Sequence, residues 1–203
     1  MKSLSEIETI SKRASKAAGF EWGIAEEVGK NIRILENFSL SGIKNLNDFL
    51  KKKKEQNFEN LKLIKKENIA GKLEFCPIVS GTSFLDQVKS LDQINEIIFH
   101  KMAYPLLFLP FISRASEIIG KRILLEFDDI QFLLNFNNII FSNFKSKKII
   151  DISNILSVKF IDNIDIFSEK DWKELYKLSE NTFVDENESL KYGAAGAGLT
   201  DND

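Results

Sequence analysis

Residues 123–135 read Ile123-Leu124-Leu125-Glu126-Phe127-Asp128-Asp129-Ile130-Gln131-Phe132-Leu133-Leu134-Asn135. Two short apolar runs flank an Asp-Asp pair, the pattern of two antiparallel strands joined by a tight turn. A further turn near Asn137-Asn138 and a run from Ile139 to Asn143 extend this to a three-strand meander. More extended segments follow at Ile149 to Ile152 and Leu156 to Ile161.

Upstream of this stretch the period changes. Tyr104-Pro105 opens a segment that is apolar around most of its circumference and reads as a buried helix, ending at Gly120. Leu106, Leu107, Leu109, Phe111 and Ile112 are its expected core residues. Asp92 to His100 fits helix or strand, and Leu73 to Val79 reads as a short strand or extended entry. Ser80-Gly81-Thr82-Ser83 then leads into a helix from about Phe84 to Ser90, with Ser83 as its cap.

The first fifty or so residues are helical by spacing. Ser3 and Glu6 cap a helix that carries Ile7, Ile10, Ala14, Ala17 and Ala18 and stops at Gly19. A second helix, from about Glu21 to Asn37, carries Ile24, Val28, Ile32 and Leu35 on one stripe. Its Ala25 and Gly29 share a face where another backbone can approach closely, so the two helices are expected to pack as a hairpin. A third runs from Asn45 to about Glu55. Near the other end, Ser168 with Asp171 caps a last helix bearing Trp172, Leu175 and Leu178 on one side.

The fold class is therefore α+β: an N-terminal helical hairpin or bundle followed by a mainly antiparallel sheet, with one buried helix and a C-terminal helix. The expected division is a helical region over 1–72, an α+β core over 73–192 and a Gly/Ala-rich acidic tail over 193–203.

Composition excludes several function classes. The chain has 203 residues, 43% of them hydrophobic, and a net charge of -2, so no global field selects nucleic acid or an anionic membrane. One cysteine, Cys76, and one histidine, His100, exclude a disulfide framework and the multi-cysteine zinc modules. The start has no apolar h-region, and the longest apolar stretch, Met102 to Ile112, is 11 residues with two prolines. That is short of the ~20 residues a membrane span needs. A cytoplasmic protein without membrane insertion is expected.

Isoleucine, lysine and asparagine supply 67 residues against four arginines, a drift that drains meaning from most lysines. It gives Arg13, Arg33, Arg114 and Arg122 a little weight as donor forks that lysine cannot imitate, although a leftover surface arginine is the expected reading of any one; Arg33 and Arg114 are carried forward as candidates. The run Lys51-Lys52-Lys53-Lys54 lacks arginine and any nucleic-acid-binding signature, so a solvated helix face is the expected reading and nucleic acid is disfavoured as a partner.

A Cys76–His100 nucleophilic pair is the one such pair available, and nothing in the spacing supports it. Ser80 to Ser83 could cradle an anion at a helix start but lacks the lysine and paired glycines of a P-loop. Trp22 with Glu26 and Glu27 places an aromatic and two acids on the first turns of a helix, where acids complement the dipole. The tail, Gly193 to Asp203, is thin and acidic. It reads either as a frayed terminus or as a functional strip, in which Gly196 and Gly198 allow entry to a narrow site and Asp201 and Asp203 deliver carboxylates to a basic or metal-bearing receptor.

The segment Ala17-Ala18-Gly19 to Gly29, with Trp22-Gly23 and Ala25-Glu26-Glu27, resembles the N-terminal motif of an uncharacterised bacterial domain family. Cys76-Pro77 with Gly81, Pro105 to Phe111, and the tail ending Leu199-Thr200-Asp201-Asn202-Asp203 extend the resemblance. The family's function is unknown, so the resemblance implies no activity, cofactor or catalytic residue.

Two functional expectations follow. The first is a non-catalytic accessory or interaction protein whose tail engages a protein partner. The second is a small-metabolite enzyme or ligand-binding protein in which carboxylates, with a divalent metal or without one, converge with the tail on a pocket of the same chain. Trp22, Glu26, Arg33, Arg114, Gly196, Gly198, Asp201 and Asp203 are the candidate ligand- or partner-binding residues. The cofactor, the metal and the oligomeric state are left open.

Overall fold

A computed structural model describes residues 2–136, 139–145 and 149–182. The turn expected near Asn137-Asn138 and the tail from Gly193 to Asp203 lie outside the described residues. The chain divides into two compact units, Met1–Asn163 and Ile164–Asp203.

The first unit is α+β. Three helices come first: α1 (Leu4–Ala17), α2 (Trp22–Asn37) and α3 (Gly42–Glu55). Ser3 caps α1 by accepting from the Glu6 N–H at 3.1 Å. α1 and α2 pack as the expected hairpin, and Gly29 shows why. A Cβ at Gly29 would sit 2.7 Å from the Glu8 carbonyl oxygen, so only glycine permits this approach.

Strand β1 (Glu67–Ile69), helix α4 (Pro77–Leu91), strand β2 (Glu96–Ala103) and helix α5 (Pro105–Ile119) follow. The ambiguous segment near His100 is thus a strand. α4 begins earlier than its Ser-Gly-Thr-Ser stretch suggests. Pro77 occupies the first turn, where its fixed φ suits a helix and its missing N–H costs nothing. Ser80 to Ser83 are consequently inside the helix rather than capping it, and Cys76 occupies the cap position.

Strands β3 (Arg122–Phe127), β4 (Ile130–Asn135), β5 (Ile139–Ser142) and β6 (Ile152–Ile161) complete a six-stranded sheet of order β1-β2-β6-β3-β4-β5. Only β1 and β2 are parallel; the other pairs are antiparallel. The register sets Ile97, Val158, Leu125 and Phe132 in one row across four strands, all fully buried. The opposite face carries Glu96, Lys159 and Glu126. Lys159 Nζ lies 2.6 Å from Glu126 and 3.5 Å from Glu96, a cross-strand ion network that marks the solvent side.

α5 is the hub of the core. Every residue from Pro105 to Ser113 is buried, including all five expected core positions. Gly120 ends it in the left-handed region at φ 64°, as a C′ glycine does. Phe108 meets Phe84 of α4 edge-on at 6.0 Å and Phe99 of β2 at 5.3 Å, joining both helices to the sheet.

The second unit holds α6 (Glu169–Ser179) and one 3₁₀ turn (Glu180–Thr182). Ser168 and Asp171 form a full capping box, and Phe167 stacks on Trp172 at 5.6 Å.

Candidate functional site

The two arginines singled out by the sequence are both held by acids of the helical hairpin. Arg114 of α5 forms an ion pair with Glu27 of α2, with side chains 31% and 23% exposed, mostly out of water. Arg33 Nη1 lies 3.0 Å from Glu8 of α1. Glu26 sits 3.6 Å from both Lys12 and Lys30. Trp22 is 56% exposed, and Lys16 Nζ lies 5.6 Å from its ring centre.

These four residues are therefore not gathered at one point. Helical geometry turns Glu26 and Glu27 about 100° apart, sending one to α1 and the other to α5. Among the described residues no three His, Cys, Asp or Glu side chains are grouped to hold a metal ion. Gly196, Gly198, Asp201 and Asp203 lie outside the described residues.

Cys76 and His100 have separate surroundings. His100 Nε2 is 2.9 Å from Glu67 Oε1 across the β1–β2 pair. Cys76 caps α4 and is buried, which pushes its thiol up from the ordinary value. The N–H groups of Val79 and Ile78 and the nearby Lys53 pull against that shift without reversing it. Cys76, Lys53, Phe20, Phe58 and Asn57 line a hollow of about 270 Å³.

The lysine run lies in the last turn of α3, where cations complement the helix dipole. Lys53 Nζ stands 5.1 Å over Phe20 and donates to the Ala18 carbonyl at 3.3 Å. Lys52 stands 5.8 Å over Tyr104. Two of the four cations thus cover buried rings.

A different surface was not singled out by the sequence. α1 and α3 form a concave apolar face with two hollows, of about 490 and 150 Å³. Ile10, Ser11 and Ile43 line both; Ser11 is buried, and the two isoleucines stand exposed between the hollows. Ile10 is 58% and Ile43 45% exposed, although Ile10 recurs at helical spacing with the other apolar residues of α1. Helical spacing reports that α1 has an apolar stripe. It does not report that the stripe is wider than the partners that cover it, and Ile43 immediately after Gly42 was the one available hint.

No helix of the described residues is long and apolar enough to cross a membrane. No curated protein and no solved structure matches the chain. The three N-terminal helices, the apolar face of α1 and α3, and the chain through Cys76 all fall within residues 2–76, which match the model of a family described as a protein of unknown function (DUF3726).

Proposed function

We propose that this chain is an interaction protein without turnover of its own, which docks through the α1–α3 face. The observation that carries this reading is the pair of isoleucines, Ile10 and Ile43, held exposed between two apolar hollows. Leaving apolar surface in water is unfavourable by about 25 cal/mol per Å², which favours a contact that covers the two isoleucines. The polar candidates support the same reading. Arg114, Arg33 and Glu26 are engaged in ion pairs that tie helices together. The acidic tail, with Gly196, Gly198, Asp201 and Asp203, is a second proposed contact, directed at a basic receptor.

The test is affinity capture from the native cell using the tagged full chain, a chain lacking Gly193 to Asp203, and an Ile10→Asp/Ile43→Asp variant. A specific protein held by the full chain should be lost by the face variant and weakened by the truncation. Capture that is identical for all three would overturn the reading.

The ligand-binding alternative draws on the hollow beside Cys76, where Lys53 offers a cation. It predicts a melting temperature raised by millimolar small carboxylates and insensitive to the face variant.

A further inference from the structure

We infer that the two hollows on the α1–α3 face bind a small uncharged ligand, an apolar body with one hydroxyl or carbonyl group that hydrogen-bonds to Ser11. The site shares its face with the proposed docking surface but needs no protein partner, since the ligand fills the hollows themselves. Ser11 carries the recognition. Ile10, Ser11 and Ile43 line both hollows, and of the three only Ser11 has a hydrogen-bonding side chain. It is 5% exposed, and among the described residues its hydroxyl has no hydrogen-bond partner. A helical hydroxyl can be satisfied by donating back one turn, as Thr82 of α4 does to the Ile78 carbonyl at 2.7 Å. The other buried residue of α1, Ser15, also has an unpartnered hydroxyl. Buried polar atoms are ordinarily satisfied, so a hydroxyl left open on the lining of a hollow points to a partner that enters from outside.

The size of the recess suits a small molecule. The larger hollow is about 490 Å³ and the smaller about 150 Å³. Small-molecule sites run from about 300 to 1,000 Å³. Ala14, Leu46 and Leu50 line the larger hollow and Ile7 the smaller, so an apolar body entering either one leaves water for apolar walls. Because Ser11 lies on both linings, a ligand in either hollow meets the same hydroxyl.

The charges at the rim select against an ionic ligand, because they are already engaged within the chain. Lys2 pairs with Glu6 at 2.9 Å, Glu36 accepts from the Ile43 N–H at 2.8 Å, and Lys44 is engaged as well. A carboxylate or ammonium group would give up its hydration on entering and gain no counter-charge in return. A hydroxyl or carbonyl gives up far less, and the Ser11 hydroxyl replaces the water it loses.

Amide NMR of the purified full chain, titrated with 1-hexanol and in parallel with hexanoate, tests this. Saturable shifts at the residues lining the hollows are expected with 1-hexanol, at the near-millimolar affinity of so small a probe. Hexanoate should bind there about tenfold more weakly or not at all. Ser11→Ala should weaken 1-hexanol by about three- to tenfold, the loss of one hydrogen bond. Its melting temperature should match or exceed that of wild type, because the hydroxyl removed has no partner in the free protein. Asn47→Phe, at an exposed position on the edge of the larger hollow, should block binding and leave the fold intact. No saturable shift with 1-hexanol, equal affinity for hexanoate at that face, or wild-type affinity in either variant would overturn the inference. The docking reading fails separately. Binding of 1-hexanol together with capture that is identical for the full chain and the Ile10→Asp/Ile43→Asp variant keeps the ligand site and removes the protein contact. Capture lost by that variant, with no shift on titration, does the reverse.

Discussion

Phe111 of α5 lies flat against Gly81 of α4: a Cβ at position 81 would fall 2.8 Å from ring atom Cε2 and closer still to Cγ and Cδ2. The contact is ring against bare backbone, and it sets how near the two helices can come. Gly81→Ala should therefore destabilise the fold by about 1–3 kcal/mol, because the ring is fully buried and has nowhere to move. Urea melts of the two proteins measure it. A cost under about half a kcal/mol, the range of an ordinary surface change, would mean that α4 slides away at little expense.

Leu109, on the same helix, is fully buried. Leu109→Ala should cost about 2–5 kcal/mol, the lost transfer energy plus the cavity left between α5 and its neighbours. Together with Gly81→Ala it separates overpacking from underpacking at one hub. Wild-type m-values in both variants would show that the changes alter stability without altering the compactness of the unfolded chain.

Arg114 and Glu27 form a mostly buried pair between α5 and α2. Arg114→Gln alone should cost about 1–3 kcal/mol, since it strands a carboxylate that is mostly out of water. Adding Glu27→Gln should recover part of that loss. A double-mutant cycle with coupling near zero would show that the pair contributes no more than a surface ion pair does.

The Tyr104 hydroxyl donates to Asp48 at 2.7 Å, from a residue held in the left-handed region at φ 42°. Burial, and then the carboxylates of Asp48, Asp151 and Glu74, push its phenol well above its ordinary value. The folded state thus keeps a proton that the unfolded chain releases near pH ~10. Stability from this group is complete below that pH and declines as pH rises from there toward the folded value. Tyr104→Phe should be less stable than wild type at neutral pH and lose stability less steeply above pH ~10. Parallel slopes of unfolding free energy in the two proteins, taken between neutral and strongly alkaline pH, would contradict this.

Lys52 and Lys53 lie over Tyr104 and Phe20, whereas Lys51 and Lys54 are exposed. Changing 52 and 53 to glutamine should cost about 0.5–1 kcal/mol each. Changing 51 and 54 should cost almost nothing. Neither pair should alter binding to DNA or RNA. Micromolar affinity at physiological salt that is lost on substitution, with a steep salt slope, would make the run a nucleic-acid contact.

Helices, strands and the buried hub were legible because local period reports which faces leave water. Leu106, Leu107 and Leu109 could be assigned to the core, and Gly120 to a helix end, from neighbours within one or two turns. The meander of β3, β4 and β5 was readable for the same reason, since each strand pairs with the next in the chain. The placing of β6 between β2 and β3 was not, because Ile97 and Leu125 meet Val158 across long stretches of chain whose pairing leaves no local trace. Arg114 and Arg33 could be marked as unusual residues, but an arginine does not say which acid will reach it. Only the packing of α2 against α1 and α5 sent Glu8 to one and Glu27 to the other. Ile10 shows the limit most plainly. Its spacing makes it apolar-face in any reading, and whether that face is covered depends on how many helices arrive to cover it. That count is a property of the assembled helices, and in this unit it leaves Ile10 and Ile43 in water.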